Sequence, residues 1–172
     1  KHFPFCLKHF PGIGKGEADT HDGDVAITAS IEELRREDMA PFAALIADTP
    51  ATDFAVMIGH VRYDAIDDAP ASLSPAIITG LLRGKLAYDG VVITDNITMK
   101  AVAARYSPEE AALRAVAAGA DIILVSHEYE AAIAAYNAIL RALNTGVIPM
   151  ERIDASVRRI LRLKLAHANV AK

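Results

Sequence analysis

Gly90-Val91-Val92-Ile93-Thr94-Asp95-Asn96 is a β-branched run that stops on a carboxylate. Such a run reads as a short strand, with the acid at its C-terminal end. The same arrangement recurs along the chain. Phe5–Leu7, Phe54–Ile58 and Ile122–Val125 are also short apolar runs, and they end in Lys8-His9, Gly59-His60 and Ser126-His127 respectively. Helical patterns separate them, so the chain reads as α/β, with successive βα units around a parallel sheet. In such folds the ligand site is built on the edge formed by the C-terminal ends of the strands, whether the sheet is open or closed into a barrel.

The helices carry start signals. Ser30 with Glu33 three residues later forms a capping box ahead of 31–47, and Pro41 is expected to kink or split that helix. Ser74-Pro75 and Ser107-Pro108 each place an N-cap before a proline at the first helical position, opening helices over 77–86 and 111–118. Residues 128–143 read as a further helix. Over 150–166 the apolar Ile153, Val157, Ile160, Leu161 and Leu165 form a helical stripe that faces a core.

A chain of 172 residues, 52% hydrophobic and 23% charged, holds one globular core, and 1–172 is taken as one domain. No apolar run is long enough for a membrane span. The net charge of -4 and the lack of a basic stripe argue against a nucleic-acid partner. Arg158, Arg159, Arg162 and Lys164 do cluster, but on the last helix, where they complement its dipole. The single cysteine, Cys6, excludes an internal disulfide and a cysteine zinc site, and its apolar setting reads as a buried thiol. No secretory leader pattern is present, so the expected compartment is the cytoplasm. That expectation concerns a sequence that begins at Lys1, without an initiator methionine, and so leaves a lost leader open. Lys1-His2-Phe3-Pro4 is echoed at Lys8-His9-Phe10-Pro11.

Between the first two runs, residues 11–24 hold Gly12, Gly14, Gly16 and Gly23 among Asp, Lys and Thr. This is the composition of a surface loop over the strand ends, suited either to a lid or to a plain connector. Asp19-Thr20-His21 gives that loop possible chemistry.

Lys8-His9-Phe10-Pro11-Gly12-x-Gly14, then Asp19-Thr20-His21, resembles the KHFPGxG…D-[ST]-H stretch of glycoside hydrolase family 3. Residues 90–99 resemble that family's nucleophile segment. Met57-Ile58-Gly59-His60-Val61 with Ala71-Ser72-Leu73-Ser74-Pro75 resembles the region between the two. The best fit is to the bacterial β-N-acetylglucosaminidase branch, whose members recycle peptidoglycan. The resemblance implies a TIM-type (β/α)8 barrel of which this chain supplies about four βα units, the C-terminal half. It implies a substrate with terminal β-linked N-acetylglucosamine, a saccharide or muropeptide, and no cofactor or metal.

A retaining glycosidase needs a carboxylate to attack the anomeric carbon and a second group to protonate the leaving oxygen and then activate water. Asp95, fixed at a strand end, suits the first role; capping the next helix is the plain alternative. For the second role the resemblance points to His21, with Asp19 orienting its ring. A solvated loop histidine is the plain alternative. Lys8, His9 and His60 are expected to bind sugar hydroxyls, against a strand-end lysine and packed core histidines. His127 has no matching motif, and an N-cap at Ser126 would explain the pair. Ile13 and Asn96 depart from the usual pattern, and Asn96 removes a charge that often sits beside the nucleophile.

Two other functions compete. His9, His60, Asp95 and His127 at strand ends could ligate a divalent cation in a metal-dependent barrel hydrolase. Alternatively, the chain is an inactive half-barrel with exposed sheet edges, needing its missing half or a second copy as partner.

Overall fold

The computed structural model describes residues 3–14 and 25–168. Strands β1 (Phe5–Phe10), β3 (Phe54–Ile58) and β5 (Val91–Thr94) form one parallel sheet in the order β1-β3-β5. Two short strands, β2 (Ala26–Ile27) and β4 (Arg62–Tyr63), pair in parallel as a separate clip.

The fourth expected strand, Ile122–Val125, is corrected. This segment runs beside β5, but only Ile122 bridges to Ile93. The Leu124 amide is taken by the Thr94 hydroxyl at 3.0 Å, and the Leu124 carbonyl accepts from the Ile97 amide beyond the end of β5. A side chain has replaced the backbone partner, so the regular ladder stops after one pair.

The helices follow their start signals. The Ser30 hydroxyl accepts from the Glu33 amide, and the Glu33 carboxylate accepts from the Ser30 amide at 2.9 Å. Pro41 splits the expected long helix into Ile31–Arg36 and Ala40–Asp48, lying in the first turn of the second, where no amide donor is required. Ser107 caps Pro108–Ala118 through the Glu110 amide at 3.2 Å, and Gly119 ends that helix at φ +118°. Ser74 accepts from the Ile77 amide at 3.2 Å before the helix Ala76–Lys85. That helix is wound wide, in the π manner, with the Leu86 amide closing on the Leu81 carbonyl. Helices Tyr129–Asn144 and Met150–Ala166 complete the order. No described helix is long and apolar enough to cross a membrane.

Packing fixes the sheet's direction. Phe54, Val56 and Ile58 are fully buried on one face, against Ile77, Ile78 and Leu82 of the π-wound helix in the same core. The Phe54 ring lies between Phe5 and Tyr88, at 5.5 and 5.2 Å. The expectation of a buried Cys6 is corrected, because Cys6 pairs in register with Ala55, on the face turned away from that core, and is exposed.

The Asp121 side chain is fully buried and gathers the chain around it. It accepts from the Arg83 guanidinium at 2.7 Å, the Val92 amide at 2.9 Å and the Ser156 hydroxyl at 2.6 Å, with Arg159 at 3.3 Å. Arg83 also donates to the carbonyls of Tyr88, Gly90 and Gly119. Arg159 and Arg162 pair with Asp89, so two of the clustered basic residues on the last helix are structural ties. Replacing Asp121 by Ala leaves buried guanidinium charge uncompensated and is expected to cost about 3–5 kcal/mol. Urea unfolding of the variant measures that loss; a change below about 1 kcal/mol would refute the assignment.

Candidate active site

β1, β3 and β5 end on the same edge of the sheet, and their C-terminal residues converge there. Asp95 leaves β5 with its amide donating to the Ile58 carbonyl at 2.9 Å, which ties it to the end of β3. Its carboxylate has two described partners. One oxygen lies 3.4 Å from His9 Nε2, and the other accepts from the Asn96 amide at 2.7 Å. About a fifth of each side chain remains exposed, 22% for Asp95 and 23% for His9. The following helix, Lys100–Ala103, begins after Met99 without a side-chain cap, so capping it is not the role of Asp95.

The Asp95 carboxyl is held down at about 2. The His9 hydrogen bond is the main cause and the Asn96 amide adds to it, while burial pushes the other way. A carboxyl depressed below its unfolded value of about 3.9 adds stability that is present above that value and is lost as pH falls through the folded one. Asp95 is therefore ionised wherever the protein is folded and near neutrality.

His60, 2% exposed, has both ring nitrogens engaged. Nε2 lies 2.8 Å from the Asn96 carbonyl and Nδ1 lies 2.8 Å from the Ser72 hydroxyl. Burial lowers its pKa and favours the neutral ring. A carbonyl only accepts, so Nε2 carries the proton and donates, while Nδ1 accepts from Ser72. His60 thus meets the site through the backbone of Asn96, the residue next to Asp95.

Asn96 carries a role that the sequence did not reveal. Its side-chain oxygen accepts from the Thr98 hydroxyl at 3.0 Å and from the Ser126 amide at 3.1 Å. It joins the loop after β5 to the segment after Val125. The helix Tyr129–Asn144 takes Glu128 as its N-cap, with no side-chain cap bond, so Ser126 does not cap it. His127 is exposed at φ +66°. Lys8 is exposed on β1, one residue before His9. Asp19 and His21 lie outside the described residues. No three His, Cys, Asp or Glu side chains converge as a metal site among the described residues. A cavity of about 510 Å³ opens beside the loop after β5, lined by Ile97, Thr98, Arg105, Tyr106 and Glu128 among others.

A parallel sheet thus carries an ionised aspartate at the C-terminal end of one strand, with histidines from its neighbours, on the edge where α/β folds build ligand sites. Residues 2–163 match the family model described as glycosyl hydrolase family 3 N terminal domain, and the chain belongs to that family, with its TIM-barrel-like α/β fold. Among curated relatives, beta-hexosaminidase LpqI of Mycobacterium tuberculosis is 37% identical over 92% of this chain and 41% of its own. A beta-hexosaminidase of Chromobacterium violaceum is 38% identical over 80% of this chain and 37% of its own. The solved family 3 β-N-acetylglucosaminidase of Paenibacillus sp. str. FPU-7 superposes with a TM-score of 0.90 and 46% identity, over 95% of this chain and 31% of that one. The chain thus spans about two fifths of the length of these two curated relatives.

His9→Leu is expected to return the Asp95 carboxyl toward the ordinary carboxylate range, which carbon NMR titration of labelled aspartate would follow. A titration still near about 2 would show that the Asn96 amide alone depresses it.

Proposed function

We propose that this chain carries the catalytic centre of a retaining β-N-acetylglucosaminidase. Asp95 attacks the anomeric carbon, and His21, oriented by Asp19, protonates the leaving oxygen and then activates water. The observation that carries the reading is the ionised Asp95 at the end of β5, held by His9 and the Asn96 amide, in a chain of this family. An imidazole titrates near neutrality without a large shift, so a histidine can serve where glycosidases commonly use a second carboxylate.

His9 both holds Asp95 and, with Lys8, offers donors to sugar hydroxyls. His60 supports the pocket by fixing Asn96. The names of the relatives support an N-acetylglucosamine-containing substrate, and a muropeptide is the form proposed. The compartment proposed is the cytoplasm.

The chain is further proposed to be a single partial domain, the C-terminal half of a barrel. Half-buried Ala55, Met57 and Ile93 with exposed Cys6 occupy the sheet face turned from the helices, which a closed barrel would enclose. Tyr129, Ile133, Tyr136 and Leu140 form an exposed stripe at helical spacing, suited to cover by further βα units. The completing partner is the other half of the barrel or a second copy. Size-exclusion chromatography with a chromogenic N-acetyl-β-glucosaminide assay tests this; a folded, monomeric and fully active 172-residue species would refute it.

Asp95→Ala is expected to abolish turnover. His21→Ala should slow substrates with poor leaving groups by about 10²-fold or more, and activated aryl glycosides far less, because a good leaving group needs little protonation. Equal losses on both substrates would remove His21 from the acid role.

A further inference from the structure

The amide that Asp95 accepts from belongs to Asn96, and a buried histidine holds the carbonyl of that same residue. His60 is in turn held from behind. The turn Ala71–Leu73 folds back over the end of β3, where the Ser72 amide donates to the Gly59 carbonyl and the Ala71 amide to the Val61 carbonyl, each at 3.0 Å. These two bonds land on the residues either side of His60. Ser72, itself fully buried, is thereby placed with its hydroxyl 2.8 Å from His60 Nδ1. Three hydrogen bonds then run in series to the carboxylate. Ser72 Oγ meets His60 Nδ1, His60 Nε2 meets the Asn96 carbonyl at 2.8 Å, and the Asn96 amide meets Asp95 at 2.7 Å.

The direction of each bond follows from the groups that can donate. Burial keeps the His60 ring neutral, so it carries one N–H. The Asn96 carbonyl claims that proton for Nε2, which leaves Nδ1 a bare acceptor in a site closed to solvent. Among the described residues, only the Ser72 hydroxyl bonds to Nδ1. A bare acceptor left without a donor in such a place is costly, and the ring relieves it by turning toward another donor. Turning takes Nε2 off the Asn96 carbonyl. That carbonyl also accepts from the Met99 amide at 3.0 Å, within its own loop, so His60 is the bond that ties it to β3.

Resting on the nucleophile reading above, we propose that Ser72 is a positioning residue for Asp95. Its hydroxyl holds the His60 ring at the angle from which Nε2 donates to Asn96, and so fixes the amide that Asp95 accepts from. The same point also bears on the other partner of Asp95. A Cβ built on Gly59 would stand 3.2 Å from His9 Cβ, so His9 passes close against the residue whose carbonyl Ser72 holds.

Ser72→Ala removes the hydroxyl and little else. In the active enzyme it is expected to lower kcat/KM about ten-fold, the scale on which small misplacements of a reacting group act. The loss should be equal on a disaccharide and on an activated aryl glycoside, because both are attacked by the same carboxylate. Nitrogen NMR of labelled histidine, on this chain, should show wild-type His60 protonated at Nε2 and bare at Nδ1. In Ser72→Ala the Nε2 proton should lose its hydrogen-bonded shift, and the Asp95 carboxyl should titrate higher than in the wild type, with circular dichroism unchanged. A wild-type ring protonated at Nδ1 would overturn the proposal without any variant. So would an unmoved Asp95 titration in Ser72→Ala, or a kcat/KM within about two-fold of wild type. Asp95→Ala measured in parallel separates the two ideas. If that variant keeps its turnover, the nucleophile reading has failed on its own; if it is inactive while Ser72→Ala is unimpaired, only the positioning role has failed.

Discussion

Burying the Asp121 carboxylate constrains most of the structure. A lone buried carboxylate is untenable, so everything that can neutralise it is drawn to one place. Arg83 arrives from the end of the π-wound helix, Ser156 and Arg159 from the last helix, and the Val92 amide from β5. Arg152 joins at 3.7 Å and spends its other donors on the carbonyls of Val116 and Ala120. These donors meet backbone carbonyls at the Gly90 and Gly119 turns that lead into β5 and the segment beside it. The start of β5 is therefore fixed in position. A strand of four residues has little freedom left at its other end, and that end is Asp95.

The C-terminal edge of the sheet is organised by polar bonds between neighbouring strand ends, with Asn96 at their meeting point. Its backbone carbonyl receives His60 from β3, and its side chain receives Thr98 and Ser126. The segment 71–74 supports the same point from below. Ser72 holds the His60 ring, its amide reaches the Gly59 carbonyl, and Ser74 bonds to Asp67 at 2.5 Å. An asparagine after Asp95 thus does more than omit a charge. It supplies the acceptor that stitches the loop after β5 to the loop after Val125.

Much of this was legible in the sequence, for identifiable reasons. The bounds of β3 and β5 follow from β-branched runs with sharp polar ends, and the split at Pro41 follows from a missing amide. The gathering of His9, His60 and Asp95 at one edge of the sheet was visible as a repeated strand-end pattern. The fourth strand was not, because residue type cannot show that the Thr94 hydroxyl would take the Leu124 amide and end the ladder. Cys6 read as buried because its neighbours are apolar, whereas its exposure depends on which face of β1 meets the core. The arginine cluster read as a dipole complement because its partners, Asp89 and Asp121, lie tens of residues away. All three failures concern long-range contacts, which no local pattern encodes.

Asp121 and Asp95 show how surroundings divide one residue type between two tasks. Asp121 is sealed from solvent and meets guanidinium groups on both oxygens, so its lone pairs are consumed and it is chemically inert. Asp95 is kept ionised by less: one imidazole at 3.4 Å and one amide. Both favour the charged form, yet the imidazole contact is long and about a fifth of the side chain stays open. The nucleophile's role proposed for Asp95 needs that balance. Bound as tightly as Asp121, it would have no lone pair to give; left without His9, its carboxyl would rise from about 2 toward the ordinary carboxylate range. The fold meets both conditions by using arginines at the base of the sheet, where only stability is required, and histidines at its C-terminal edge, where charge must be present but loosely held.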